Sequence, residues 1–166
     1  KPKKEKTMAE KKHVLSILVD NQPGVLSRVA GLFSGRGYNI DSLSVAETIE
    51  PNVSRMTIVT KANSSDIEQI EKKLNKLINV IQLYDFTGTD YVERQMALIK
   101  VAAKSDGMAE ILRIVDIFRC KVVDVAPDHY TIEITGDEDK IEAILNLLKP
   151  MGIKEIAKTG SIALYR

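Results

Sequence analysis

The chain has 166 residues, 44% of them hydrophobic and 28% charged, so it can bury a core as one domain or as two small ones. No apolar run is long enough to span a bilayer and no signal-peptide core follows the basic N-terminus, so we expect a cytoplasmic protein without a membrane partner. The single cysteine, Cys120, excludes an internal disulfide, and two distant histidines, His13 and His129, predict no metal site within one chain.

Positive charge is concentrated at the N-terminus. The first twelve residues contain six lysines and two glutamates, whereas the remainder contains 18 basic and 21 acidic residues. A basic tail can attach to nucleic acid or anionic lipid, but it is more often a disordered, solvated end. We therefore interpret residues 1–11 as a disordered basic tail. Because the remaining chain has no basic excess, we predict no nucleic-acid partner.

The first half of the chain predicts the order strand, helix, strand, strand, helix, strand. A short β-branched run, VLSILV (14–19), predicts the first strand. A helix should follow, ended by the glycines at 35 and 37, because apolar residues recur at helical spacing: Val25, Leu26, Val29, Leu32 and Phe33. The remaining elements are two strands at 39–47 and 54–62, a helix opened by the cap-rich residues 63–66, and a strand at 80–86.

The second half repeats this order. Strands are predicted at 94–103, 120–126 and 130–135, and the last stretch, 152–166, supplies a strand or a hairpin. Two helical stripes lie between them: Ile111, Leu112, Val115 and Phe118, then Ile141, Ile144, Leu145 and Leu148. The predicted fold is therefore α+β, with two tandem ferredoxin-like βαββαβ units over residues 12–88 and 89–166.

Each predicted sheet has one face without helices. On the first sheet this open face carries apolar residues, among them Val14, Leu18 and Val59. A unit of this size is only marginally stable alone. We therefore expect these faces or edges to pair with a second copy, giving a homodimer.

Several functions known for this topology lack their residues here. RNA-recognition modules need stacking aromatics on central strands, but the chain has no Trp and three Phe. Metal carriers of this shape need paired cysteines, and the glycines at 31, 35 and 37 form no phosphate-binding motif. Arg119 before Cys120 could activate the thiol, but without a partner histidine an inert, half-buried thiol is the more ordinary interpretation. We predict a protein without a catalytic, metal or cofactor site.

One polar turn, Asp20-Asn21-Gln22-Pro23-Gly24, connects the first strand to the first helix. We call residues 20–24 the elbow. A helix N-terminus favours anions, Gly24 lets a ligand approach the main chain, and the Asn21 amide can both donate and accept. Asn39, just after the helix, could add a second amide from the same chain or from a partner. Alternatively, Asp20 and Asn21 only cap the helix.

Long blocks of the chain are similar to a known family. HVLSILVDNQPGVLSRVAGLFSGRGYNIDSLSVAET, SRMTIVT, VERQMALIKV and IFRCKVVDVAPDHYTIEITG stand in the order of the small, regulatory subunit of acetolactate synthase, from about residue 13 to 165. The elbow itself resembles that of the ACT domain, an amino-acid-sensing module whose ligand lies at a dimer interface. The resemblance implies that Asn21, Gly24 and Asn39 contact the inhibitor valine, with Pro23, Val25, Leu26 and Ile40 beside them.

The resemblance also implies partners. In this family the small subunit binds the catalytic large subunit, raises its activity and confers feedback inhibition by valine in branched-chain amino acid biosynthesis. Thiamine diphosphate, magnesium and FAD belong to the catalytic partner, and no cofactor is expected in this chain. The alternative is a free-standing ACT sensor that controls another partner, although no segment remains to form a DNA-reading helix-turn-helix.

Overall fold

The structure is a computed structural model that describes residues 9–166, so most of the predicted basic tail lies outside the described residues. Contacts divide the chain into two compact units. The first contains residues up to Val92 together with Ala163–Arg166, and the second contains Glu93–Ile162. The predicted domain boundary between residues 88 and 89 stays a prediction.

The first unit has the predicted order of elements. They are β1 (Lys11–Asp20), α1 (Val25–Ser34), β2 (Ile40–Glu47), β3 (Val53–Ala62), α2 (Ser64–Asn75) and β4 (Val80–Asp85). The strands form an antiparallel sheet in the order β2-β3-β1-β4. The cap-rich segment predicted to open the second helix does so, because the Asn63 side chain accepts a 2.8 Å hydrogen bond from the Asp66 N–H.

Both helices of this unit pack against alternate residues of the central strands. The core contains Leu15 and Ile17 of β1 and Met56 and Ile58 of β3, with side chains from α1 and α2 above them. From the predicted α1 stripe, Val25, Val29 and Phe33 are buried, whereas Leu26 is 44% exposed. Leu26 does not belong to the i, i+4 row of the other three, so it is turned about 100° away from the core.

The open face of the first sheet is partly covered by the chain itself. Val14, Val59, Phe86 and Ala163 form a second buried group, which we call the open-face cluster. The Tyr165 ring lies beside the Phe86 ring, with 4.5 Å between the ring centroids. Residues of this chain therefore bury Val14 and Val59, and pairing of the open faces or edges with a second copy stays a prediction. Leu18 on the same face is half-buried.

The second unit repeats the order with one addition. Its elements are β5 (Tyr91–Ala102), α3 (Met108–Ile117), β6 (Lys121–Val125), β7 (His129–Gly136), α4 (Glu138–Leu148), a 3-10 turn (Lys149–Met151) and β8 (Ile153–Lys158). The sheet order is β6-β7-β5-β8. A final strand, β9 (Ile162–Tyr165), pairs with β5, but apart from Ile162 its residues belong to the first unit. The last stretch therefore forms two strands that both pair with β5 rather than a hairpin.

The core of this unit lies between its sheet and two helices. Ile99, Ile132 and Ile134 of the strands meet Ile111, Ile141 and Ile144 of α3 and α4. Leu112 was predicted on the buried stripe but is 47% exposed, because it follows Ile111 by one residue and points about 100° away. Phe118 lies just beyond α3 and still packs against the core. The fold prediction of two ferredoxin-like units is confirmed.

Candidate ligand site at the elbow

The elbow is held by backbone hydrogen bonds from two neighbouring loops. The Asp20 N–H donates to the Asn79 carbonyl at 2.9 Å, and the Asn21 N–H donates to the Asn52 carbonyl at 2.8 Å. Asn79 precedes β4, and Asn52 lies in the β2–β3 turn at a left-handed φ of 65°. The end of β1 is thus fixed by the ends of its neighbours while the Asn21 side chain stays exposed.

Gly24 forms the N-cap of α1 without a side-chain cap. Its φ is 84°, a left-handed conformation that glycine adopts without strain, and no side chain bonds to the first turn. The alternative that Asp20 and Asn21 serve only as caps is therefore wrong. A Cβ placed on Gly24 would have no atom within 4 Å, so the space above it is open. Because the first N–H groups of a helix have no partner within it, this end of α1 suits an anionic group.

The other predicted site residues near the elbow have different environments. Pro23 is exposed beside Gly24, and Leu26 presents an apolar side chain on the surface one turn into α1. Val25 is buried in the core, so only its backbone is available at the elbow. The elbow therefore combines an amide, helix N–H groups and one apolar side chain.

Asn39 and Ile40 lie at the opposite end of the same sheet. Ile40 pairs with Thr60 of β3, whereas Asp20 at the elbow pairs with Val53. Seven residues separate Val53 from Thr60, which corresponds to roughly 23 Å along a strand. Thr60 Oγ1 donates to the Asn39 carbonyl at 2.7 Å, which fixes this end of β2. Within one chain, Asn39 therefore cannot contact a small ligand that also contacts Asn21.

Sequence reasoning missed a side-chain network behind the elbow. Arg28 Nη1 of α1 donates to Asn79 Oδ1 at 2.7 Å, and Asn79 Nδ2 donates to Asp20 Oδ2 at 3.5 Å. Asn79 is only 9% exposed. In the sequence, an asparagine between a helix and a strand is typical of an ordinary turn. No local pattern indicates that Asn79 pairs with residues 59 and 51 positions away. We call these three residues the Asn79 bridge.

A second polar group surrounds the buried His13 near the other end of β1. His13 Nδ1 lies 2.8 Å from Thr87 Oγ1 and 3.4 Å from Asp85 Oδ2. Burial, a hydrogen bond to Asp85 and the charge of Asp85 raise the pKa of the Glu71 carboxyl to about 7. Burial of Asp85 opposes its ionisation, but hydrogen bonds from Thr87 and Glu71 outweigh it and lower the pKa of Asp85. Below pH 7, Glu71 is therefore mainly protonated and can donate a hydrogen bond to the ionised Asp85.

Other candidate chemistry is sparse in the described part of the chain. Cys120 is half-buried, and burial raises the pKa of its thiol despite the nearby Lys140. Over residues 9–166, no group of three or more His, Cys, Asp or Glu side chains is arranged to hold a metal ion. In the same residues, no helix is both long and apolar enough to cross a membrane.

Two family models match the two halves of the chain. Residues 15–82 match an AHAS small subunit-like ACT domain, and residues 94–166 match the small subunit of acetolactate synthase. The first match contains the elbow and Asn39.

Individual relatives extend the similarity over nearly the whole chain. The acetolactate synthase small subunit of Aquifex aeolicus is 53% identical over 157 residues, which cover 94% of this chain and 82% of that one. The corresponding small subunit of Mycobacterium bovis is 48% identical, with 96% and 95% covered. The crystal structure of the acetolactate synthase small subunit from Thermotoga maritima superposes with a TM-score of 0.85 at 44% identity, covering 94% of this chain and 98% of that one. With this fold and these relatives, the chain belongs to the family of acetolactate synthase small subunits.

Proposed function

We propose that the chain binds the catalytic large subunit of acetolactate synthase in the cytoplasm, raises its activity and makes it sensitive to feedback inhibition by valine. Membership of the small-subunit family supports the partner. Thiamine diphosphate, magnesium and FAD belong to the catalytic subunit in this proposal. Valine inhibits because it binds better to the less active state of the complex.

Valine binds at the elbow in this proposal. Its carboxylate takes the N-terminus of α1 above Gly24, where open space and a first turn without a side-chain cap favour an anion. The Asn21 amide contacts the charged groups of valine. Pro23 shapes the approach, and the isopropyl group packs near Leu26.

One observation carries the oligomeric part of the proposal. Because Asn21 and Asn39 stand at opposite ends of one sheet, a valine that touches both must lie between two chains. A homodimer that places the elbow of one protomer beside Asn39 and Ile40 of its partner forms two equivalent sites. The site is therefore incomplete in a single chain.

Single substitutions test the ligand contacts. Asn21→Ala or Asn39→Ala should weaken valine binding about 10- to 150-fold, the effect of losing a hydrogen bond to a charged group. Calorimetric titration with valine measures this effect, and Asn146→Ala on the exposed surface of α4 is the matched control. Both variants should still activate the catalytic subunit. Unchanged valine affinity in both would contradict the site.

Mixing the two variants tests whether the site is shared. After subunit exchange between Asn21→Ala and Asn39→Ala protomers, half of the dimers are mixed, and one site in each mixed dimer has both asparagines. About one quarter of all sites should then regain wild-type affinity, as the symmetry of a two-fold dimer requires. A site formed within one chain would regain none. Co-purification with the catalytic subunit tests the partner separately.

A further inference from the structure

We propose that Asn79 is a positioning residue for the ligand: its side chain holds α1 against the end of β1 so that the elbow keeps the shape that receives valine. The proposal rests on the valine site proposed above. Asn79 itself need not touch the ligand.

The contacts of Asn79 join three elements. Its backbone carbonyl accepts from the Asp20 N–H at 2.9 Å, while its side chain accepts from Arg28 at 2.7 Å and donates to Asp20 at 3.5 Å. Arg28 lies one turn into α1, and its N–H bonds to the Gly24 carbonyl at 3.1 Å. Rotation or sliding of α1 against β1 would therefore break the bond between Arg28 and Asn79.

The second unit contains the same backbone joint without this side-chain bridge. There the Ala102 N–H donates to the Gly152 carbonyl at 2.8 Å, as Asp20 does to Asn79, and the Ala103 N–H donates to the Asp128 carbonyl at 3.0 Å, as Asn21 does to Asn52. Gly152 has no side chain to form a bridge. The residue four positions after the N-cap of α3 is the buried Ile111, where α1 has Arg28. The Asn79 side chain is therefore not needed to form a strand–helix joint of this kind.

The hydrogen-bonding groups of the Asn79 bridge are suited to fixing α1 against the end of β1. A neutral amide lies between a cation and an anion, and a buried amide that lost either partner would leave polar atoms unsatisfied. No ion pair joins Arg28 directly to Asp20 among the salt bridges of the described residues. Their link therefore runs through Asn79, and its geometry depends on that one side chain.

Four variants test the bridge. Asn79→Ala removes the bridge. Arg28→Met removes only the hydrogen bond between Arg28 and Asn79, and because the Arg28 side chain is exposed, its loss should leave the fold intact. The double variant Asp20→Asn with Asn79→Asp exchanges amide and carboxylate, so that a donor and an acceptor again face each other. Asn75→Ala, on the exposed end of α2, is the matched control.

Two measurements are made on each full-length variant. Calorimetric titration gives the valine affinity, and amide resonances of residues 20–26 in the valine-free protein report the shape of the elbow. We expect Asn79→Ala and Arg28→Met to shift these resonances and weaken valine binding at least about fivefold, because a smaller fraction of the molecules has the competent shape. The exchanged pair should recover most of the affinity, and Asn75→Ala should match wild type.

The outcomes separate the two proposals. If wild type binds valine and Asn21→Ala does not, yet Asn79→Ala and Arg28→Met bind as wild type does, the positioning role is overturned and the valine site stands. If Asn79→Ala does not fold, Arg28→Met and the exchanged pair decide by the same criterion. If wild type does not bind valine, the proposed site fails, and unchanged elbow resonances in the variants would overturn the positioning role as well.

Discussion

The two units share an order of elements but differ on the open faces of their sheets. In the first unit Val14 and Val59 are buried by Phe86 and Ala163, and Ser16 and Thr57 beside them are also buried. In the second unit the corresponding residues are half-buried or exposed. Leu98 is 43% exposed beside an ion pair of 3.0 Å between Lys100 and Glu155, and a depression of about 560 Å³ follows this face and the adjoining strand edge.

The difference follows from the residues that alternate with the core. The open face of β1 and β3 carries Val14, Ser16, Leu18, Arg55, Thr57 and Val59, whereas that of β5 and β7 carries Leu98, Lys100, Thr131 and Glu133. Apolar residues at these alternate positions indicate that another segment packs on the sheet face, but they do not identify that segment. For the first unit that segment includes residues 163–166 of the same chain, which is why an external partner is not needed for Val14 and Val59.

The largest expected effect concerns the covered face. Phe86→Ala should lower the free energy of unfolding by about 3–5 kcal/mol, because it empties a fully buried aromatic site. Leu98→Ala on the exposed face of the second unit should cost less than about 1 kcal/mol, since much of its surface already meets water. Urea unfolding of both variants measures the contrast. Equal costs would show that the two faces are alike in solution.

A smaller effect on stability should distinguish the N-caps of α1 and α3. Gly24→Ala should cost about 1–2 kcal/mol, because a side chain is strained at a φ of 84°. Gly107→Ala should be neutral or stabilise by up to about 1 kcal/mol, since Gly107 has a φ of −106° and a Cβ there meets only the Lys104 carbonyl at 3.7 Å. Thermal melting without valine measures both changes. Destabilisation by Gly107→Ala as large as that by Gly24→Ala would contradict the assigned conformations.

The smallest effect is a pH response that we expect in the first unit. The pKa of Glu71 is raised from 4.5 to about 7 in the folded state, so its contribution to stability is present below pH 4.5 and is lost as pH rises through 7. Allowing for solvent screening of this partly exposed carboxyl, the loss should be about 1 kcal/mol. Glu71→Gln should remove it, whereas Glu142→Gln on α4 should leave it unchanged.

Unfolding at pH 5, 6, 7 and 8 measures this response, and parallel profiles for wild type and Glu71→Gln would contradict it. In the second unit, hydrogen bonds from Lys154 and His129 lower the pKa of the exposed Asp128 to about 2. Its contribution is lost only when the pH falls below its unfolded value of 3.8 and towards 2. The neutral range therefore tests Glu71 without interference from Asp128.

Much of the fold could be predicted from the sequence because its signals are local. The apolar stripe of α4 and the cap-rich residues that open α2 each lie within a few residues. The exposure of Leu26 and Leu112 was not predicted. Each follows a buried residue by one position, and a stripe that includes it still fits the helical periodicity. The predicted strand or hairpin at the end was less specific, since pairing of both final strands with β5 depends on distant residues.

The candidate site could be predicted only in part for a related reason. Polarity and glycine mark the elbow within five consecutive residues, but the Asn79 bridge joins residues 51 and 59 positions apart. The separation of Asn39 from Asn21 required the register of β3, which no local pattern supplies. The valine contacts of both asparagines stay a prediction.

The position of residues 163–166 has a consequence for synthesis on the ribosome. Seventy residues separate Val92 from Ala163, and at about 5–20 residues per second they take roughly 4–14 s to translate. During that interval the first unit has all its helices and its four-stranded sheet but lacks Ala163 and Tyr165 over Phe86. The nascent N-terminal unit should therefore reach its final stability only after residues 93–162 have been made. On a ribosome stalled between Val92 and Ala163, the first unit should be sensitive to protease.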